Sequence, residues 1–189
     1  MTKTAAAAAA GTPTLTTMVP SPLGPLTLAS VAGKLTGLYL DGQRHRPPRT
    51  SSWVVDDGAF AEVARQLDAY FAGELTELDV PLDLSGTAFQ RQVWSALRAI
   101  PYGQTRSYAE LAEAAGNRRA WRAAGLANGR NPVAIIVPCH RVVGADGTLT
   151  GYGGGLERKQ WLLEHERRHT GLVGLAGLAR HAGLAGRSR

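Results

Sequence analysis

Ser107-Tyr108-Ala109-Glu110-Leu111-Ala112-Glu113-Ala114-Ala115-Gly116-Asn117-Arg118-Arg119-Ala120-Trp121-Arg122-Ala123-Ala124-Gly125-Leu126-Ala127-Asn128 decides the architecture of the second half of this chain. Ser107 and Glu110 form a capping-box pair, Tyr108, Leu111, Ala112 and Ala115 recur at helical spacing, and Gly116 stops the run. After Gly116-Asn117 the Arg-rich segment from Arg118 to Asn128 suits a second helix. Two short helices on a tight turn, the second bearing Arg118, Arg119 and Arg122, have the layout of a helix-turn-helix. An ordinary αα-hairpin with a solvated basic face fits the same pattern.

Upstream, Thr87 and Gln90 repeat the capping device ahead of Phe89, Val93, Leu97 and Ile100, and Pro101 with Gly103 closes that helix. Glu74 to Gly86, with prolines and acids but no period, is the expected linker. Before it, Phe60, Val63, Ala64, Leu67, Tyr70 and Phe71 predict an amphipathic helix ended by Gly73. Gln43 to Ser52 reads as a loop. Leu15 to Leu40 suits a β-hairpin or small meander, with Leu26, Leu28 and Ser30 alternating with Thr27 and Ala29. Downstream, Val133 to Val137 is an apolar run to be buried, Leu156 to Arg167 is a final helix, and the Gly-rich end should be flexible. The fold class is therefore α+β. The expected divisions are a disordered tail over 1–13, an α/β domain over 14–85, a second domain over 86–169 and a flexible tail over 170–189.

Charge separates the halves. Of 21 Lys/Arg and 15 Asp/Glu in 189 residues, six basic and nine acidic side chains lie up to Ser85, and fifteen and six lie from Gly86 onward. A second domain with a surplus of nine positive charges attracts polyanions, nucleic acid foremost. The single cysteine excludes an internal disulfide and a Cys-rich zinc site, and suits a reducing, cytoplasmic setting. No run of eighteen apolar residues suggests a membrane span.

That cysteine sits in Ile136-Val137-Pro138-Cys139-His140-Arg141-Val142-Val143-Gly144. A lone cysteine is ordinarily a small buried hydrophobe. Here two potentially cationic neighbours, His140 and Arg141, are expected to lower the thiol pKa and favour the nucleophilic thiolate. Because adjacent residues of an extended chain face opposite sides, a water is expected to bridge Cys139 and His140. Glu166, or less favourably Glu164, would orient His140. Asn131 would tie the turn below the sulfur, although a simple turn asparagine is the plain alternative.

Pro138-Cys139-His140-Arg141-Val142 resembles the active-site signature of the O6-alkylguanine-DNA alkyltransferases, also called methylated-DNA-protein-cysteine methyltransferases. Phe89-Gln90 with Val93-Trp94, Ile100-Pro101-Tyr102-Gly103, Ser107-Tyr108, Ala115-Gly116-Asn117, Asn128-Gly129-Arg130-Asn131-Pro132, Gly151-Tyr152 with Gly154-Gly155-Leu156, Lys159, Trp161-Leu162-Leu163 and His165-Glu166 extend the likeness. The resemblance implies a ribonuclease-H-like sheet-plus-helix domain before a mostly helical domain with a helix-turn-helix. It also implies repair of double-stranded DNA carrying alkylated guanine, O4-alkylthymine being undecided, by one irreversible transfer onto Cys139 after the base is rotated out.

In these roles Cys139 is the nucleophile, His140 the base through water, Glu166 its holder, Asn131 the brace and Tyr108 the aid to the leaving base. Arg122 fills the gap from the minor groove, with Arg118, Arg119, Trp121 and Tyr108 as further DNA contacts. Val142, Tyr152, Gly153 and Gly154 would line the pocket. Relatives commonly carry alanine where Trp121 stands, some carry serine in place of Gly153, and some hold a zinc in the first domain that this chain lacks the cysteines for. No cofactor or metal is expected. The protein is expected to be a monomer, with cooperative binding on DNA left open. The rival readings are a non-catalytic lesion sensor or DNA-binding regulator, which is disfavoured because lesion-sensing relatives lack the cysteine, and a Cys/His hydrolase, which needs its histidine across a cleft.

Overall fold

The computed structural model describes residues 12–182 except 49 and 51, with side chains described as far as residue 170. The expected N-terminal tail thus lies almost wholly outside the described residues, as do residues 183–189 of the expected C-terminal one.

The first half builds a four-stranded sheet from β1 (Thr14–Val19), β2 (Leu26–Val31), β3 (Lys34–Leu40) and β4 (Trp53–Val55), in the order β3-β2-β1-β4. The β1–β2 and β2–β3 pairs are antiparallel and β1–β4 is parallel. The alternation expected along β2 does not separate an inner from an outer face. Thr27 and Ala29 are as buried as Leu26 and Leu28, because β2 is a central strand covered on both sides. β4 is not evident in sequence, being three residues beside a Pro- and Arg-rich loop.

Helix α1 (Ala61–Phe71) follows, and its Leu67 and Tyr70 join the same apolar cluster as Leu26, Leu28, Leu38 and Leu40. Each such leucine contributes roughly 1.5–3 kcal/mol by leaving water. The segment expected as a linker is fastened to both elements. Gln66 exchanges two hydrogen bonds with the Asp79 backbone, at 2.7 and 2.9 Å, and Leu35 donates to the Pro81 carbonyl.

Both expected capping boxes form, Thr87 with Gln90 at α2 (Ala88–Arg98) and Ser107 with Glu110 at α3 (Tyr108–Ala114). The short strand β5 (Arg106–Ser107) precedes α3. The helix-turn-helix closes with a 3-10 turn over Arg118–Ala120 and α4 (Trp121–Gly129). Gly116 takes a left-handed φ of 93°, which a side chain would strain, and the Asn117 carboxamide caps the turn by accepting from the Arg119 N–H. Trp94 of α2 donates its indole N–H to the Ala127 carbonyl at 2.9 Å and so locks α2 to α4.

The run Val133–Val137 is buried as expected and is a chain of turns, with Ile135 at a positive φ of 71°. It docks on the first domain: Leu38 donates to the Pro132 carbonyl and Ala134 to the Leu38 carbonyl. Strand β6 (Val142–Val143) pairs in parallel with β5, and α5 begins at Leu156. Where Arg167 was the expected end, α5 continues to Ala182. The alanines and leucines of this stretch favour helix enough to offset glycines that cost about 1 kcal/mol each.

Candidate active site and nucleic-acid cleft

Asn131 organises the turn that carries the sulfur. Its Nδ2 donates to the Val137 carbonyl at 2.7 Å and to Cys139 Sγ at 3.1 Å, while its Oδ1 accepts from the Val133 N–H at 3.0 Å. Cys139, His140 and Arg141 form a 3-10 turn, and all three side chains are buried. That turn sends His140 and Arg141 to a shared carboxylate, Glu166 on α5.

Glu166 is fully buried and surrounded by donors. His140 Nε2 lies 2.8 Å from its Oε1. Arg141 bonds it with Nε and Nη2, each at 2.9 Å, Tyr70 with its hydroxyl at 2.9 Å and Gly103 with its backbone N–H at 3.0 Å. Burial pushes the Glu166 carboxyl up, but His140 and Arg141 together outweigh it and hold the acid well below the usual carboxylate range. Glu164, the other candidate, is turned outward and paired with Arg167 and Arg168.

The expected activation of Cys139 by its two neighbours is corrected by these contacts. Arg141 is spent on Glu166 and on the Ile100 carbonyl, 2.6 Å from Nη1. Burial lowers the His140 pKa more than Glu166 raises it, so the imidazole is neutral. Burial likewise pushes the Cys139 thiol up, against the pull of the Asn131 N–H, the Lys159 charge and the backbone N–H groups of Cys139 and His140. The resting group is a thiol. With Nε2 committed to Glu166, Nδ1 is the ring nitrogen left to take a proton, and it bonds no protein group among the described residues.

Lys159 carries no role that sequence alone assigns, yet it is wholly buried on α5. Its Nζ donates to the Val142 carbonyl at 2.5 Å and the Thr150 carbonyl at 2.6 Å. Burial brings its pKa down to about 8, opposed by the negative charge that Cys139 can carry. Tyr70 reads only as core in sequence, since helical spacing carries no sign of a partner 96 residues away.

Cys139 lines a narrow crevice of about 10 Å³ together with Gln43, Asn128, Gly129, Asn131, Tyr152, Gly153 and Gly154. Gly129, Tyr152 and Gly153 also border a far larger cleft of about 680 Å³, into which Tyr108, Trp121 and Arg122 project. Gly129, Tyr152 and Gly153 are thus what stands between the buried sulfur and the cleft lined by the Arg-bearing helix. A side chain at Gly154 would press on Tyr152 at 2.9 Å and Leu40 at 3.0 Å, so only glycine lets this loop lie so close. Val142 contributes its carbonyl to Lys159 rather than a surface to the crevice.

In the cleft the Tyr108 hydroxyl lies 3.4 Å from the Thr150 carbonyl and 3.5 Å from that of Gly151. Arg118 and Arg119 stand outside it, Arg118 facing Glu113 at 3.8 Å. Arg44 and His45, from the loop after β3, also line the cleft, and the Arg44 N–H is bonded to the Gly153 carbonyl. No local sequence pattern signals that contribution from the first domain. Among the described residues no three His, Cys, Asp or Glu side chains cluster as a metal site would require, and no helix is long and apolar enough to cross a membrane.

Residues 88–168 match the model of the 6-O-methylguanine DNA methyltransferase DNA binding domain, and residues 15–84 that of its ribonuclease-like domain. A methylated-DNA–protein-cysteine methyltransferase of Mycolicibacterium paratuberculosis is 60% identical over 152 residues, 80% of this chain and 92% of that protein. One of Methanosarcina acetivorans is 52% identical over 146 residues, 77% of this chain and 94% of that protein. The crystal structure of Mycobacterium tuberculosis OGT in complex with DNA superposes with a TM-score of 0.78 at 57% identity, covering 82% of this chain and 94% of that one.

Proposed function

Because the chain belongs to the 6-O-methylguanine DNA methyltransferase family, we propose that it repairs double-stranded DNA by moving a methyl or larger alkyl group from O6 of guanine to Cys139 Sγ, once per molecule. The observation that carries this reading is that Cys139 lines a crevice sharing Gly129, Tyr152 and Gly153 with the cleft lined by Arg122 and Tyr108.

The duplex hides O6 within the base stack, so the damaged base is rotated out and Arg122 fills the space from the minor groove. Arg118 and Arg119 add contacts with DNA. Tyr152, Gly153 and Gly154 receive the base. A crevice with room for about one water does not admit a purine, so the loop carrying Tyr152 moves aside as the base enters.

His140 Nδ1 then takes the Cys139 proton through a bridging water, and Glu166 holds the imidazolium so formed. Creating the thiolate only when a base is present protects the sulfur meanwhile from other electrophiles. The sulfur attacks the alkyl carbon, the S–C bond forms and the C–O6 bond breaks. Its electron pair stays on the guanine, which is protonated with the help of the Tyr108 hydroxyl. Asn131 steadies the sulfur throughout. The product is a thioether that no thiol reductant reverses, so the molecule is consumed. In this scheme 86–169 reads the DNA and does the chemistry, while 14–85 supports it as a monomer. No cofactor enters.

The test is a mass measurement on the full chain after incubation with a duplex oligonucleotide containing O6-methylguanine. One methyl group gained on the peptide carrying Cys139, and no more than one lesion repaired per protein, is the expected result. Binding without mass gain supports the lesion-sensor reading instead, and repeated turnover rules out a consumed sulfur.

A further inference from the structure

We propose that Trp121 is a second part of the wedge that keeps the duplex open. Its indole carries the Arg122 guanidinium already stacked, and its exposed face receives the face of a nucleobase left without a stacking neighbour. The proposal rests on the reading of Arg122 given above.

Three observations carry it. The first is placement: α4 turns Trp121, Gly125 and Gly129, together with Arg122 and Leu126, toward the cleft, one stripe of the helix at intervals of four. The second is exposure. Trp121 keeps 47% of its surface exposed and Leu126 67%, and neither belongs to the apolar cluster that unites the two domains. Phosphates are met by cations and N–H donors, which Arg44 and Arg130 supply along the same cleft. Two large apolar groups among them have no use toward the DNA backbone, but they fit the flat apolar face of a base.

The third observation is the pairing itself. Arg122 Cζ lies 4.7 Å from the centroid of the Trp121 ring, well within cation–π range. An exposed arginine otherwise samples many rotamers and surrenders that freedom when it enters the stack. An arginine resting on an indole has already surrendered part of it, so the wedge enters the groove with less entropy to lose. Trp121 is thus a positioning residue for Arg122 as well as a stacking surface.

The experiment compares single-turnover repair of O6-methylguanine in duplex and in single-stranded oligonucleotides by the full chain, Trp121→Ala and Trp121→Phe. A single strand asks for no base extrusion, so a wedge residue acts only on the duplex rate. Trp121→Ala should raise the ratio of single-strand to duplex rate about tenfold, the size of one lost aromatic–base stack, and Trp121→Phe should restore most of it. Duplex DNA should also quench indole emission in the parent protein, with that quenching absent from Trp121→Phe. An unchanged ratio in Trp121→Ala overturns the proposal, as does an equal fall on both substrates, which marks a residue that only supports the helix. Failure of the parent protein to accept a methyl group on either strand form sinks the functional reading itself, a separate outcome.

Discussion

Lys159 places a buried positive charge where it favours the thiolate of a sulfur distant in the chain, against the push of burial. An ammonium without a carboxylate partner is costly to bury, and this one is held by two carbonyls while burial draws its pKa down to about 8. What it offers in return is a positive field at Cys139, one of the influences that oppose the upward push of burial on the thiol. Lys159→Met should remove that field, raise the thiol pKa and move the pH profile of single-turnover repair to the alkaline side. At a fixed pH below the thiol pKa, raising that pKa by about 1 lowers the thiolate fraction about tenfold. An unmoved profile, measured alongside iodoacetamide labelling of Cys139, would show that Lys159 serves only to tie Val142 to Thr150. Asn131→Ala acts differently, leaving the buried Val133 N–H without an acceptor at a cost of about 1–3 kcal/mol, visible as a lower urea midpoint.

At the scale of elements, what can be read in the sequence is whatever is encoded locally. Thr87 with Gln90 and Ser107 with Glu110 are capping boxes because three-residue spacing alone brings the groups together, and both are present. Removing the Ser107 hydroxyl tests this economy. Ser107→Ala should cost about 1 kcal/mol through the lost cap on the Glu110 N–H. Since Tyr108 is the first residue of α3, it should also slow repair of duplex substrate; a calorimetric Tm unchanged from the parent would contradict the cap. The pairing of β5 with β6, the parallel seat of β4 and the Tyr70–Glu166 bond have no such local signature, because each joins segments far apart in the chain. The state of the thiol escapes a sequence reading for a related reason. Adjacency of Cys139, His140 and Arg141 suggests that the cations act on the sulfur, but a 3-10 turn disperses three consecutive side chains, and Glu166 collects two of them. The cysteine, its histidine and the carboxylate are all identifiable in sequence, whereas the protonation of the sulfur depends on contacts that only the folded chain makes.

The molecule as a whole is joined through Glu166, which accepts from Tyr70 of the first domain, Gly103 after α2, and His140 and Arg141 of the active-site turn while itself belonging to α5. In the proposed function, catalysis and stability share one buried carboxylate, and the pH dependence of folding has a defined sign. The Glu166 pKa is depressed in the folded protein, so the unfolded chain binds more protons as pH falls toward and below the ordinary value of about 4.3. His140 is also depressed, by burial, and favours the folded state fully only above about 6.5, the ordinary histidine value. Both contributions are complete at neutral pH and both are lost on acidification, histidine first and carboxylate later. The urea midpoint should accordingly decline in two stages, the first as pH falls below about 7 and the second as it falls from about 5 to well below 4. In Glu166→Gln the later stage should shrink, and the midpoint at neutral pH should already be lower, since Arg141 then keeps a buried charge without its partner at a cost of about 3–5 kcal/mol. If that variant does not fold, the parent protein still decides the matter: a midpoint that stays level across the same acidification would mean that this buried cluster neither binds the two domains together nor holds His140 ready to accept a proton.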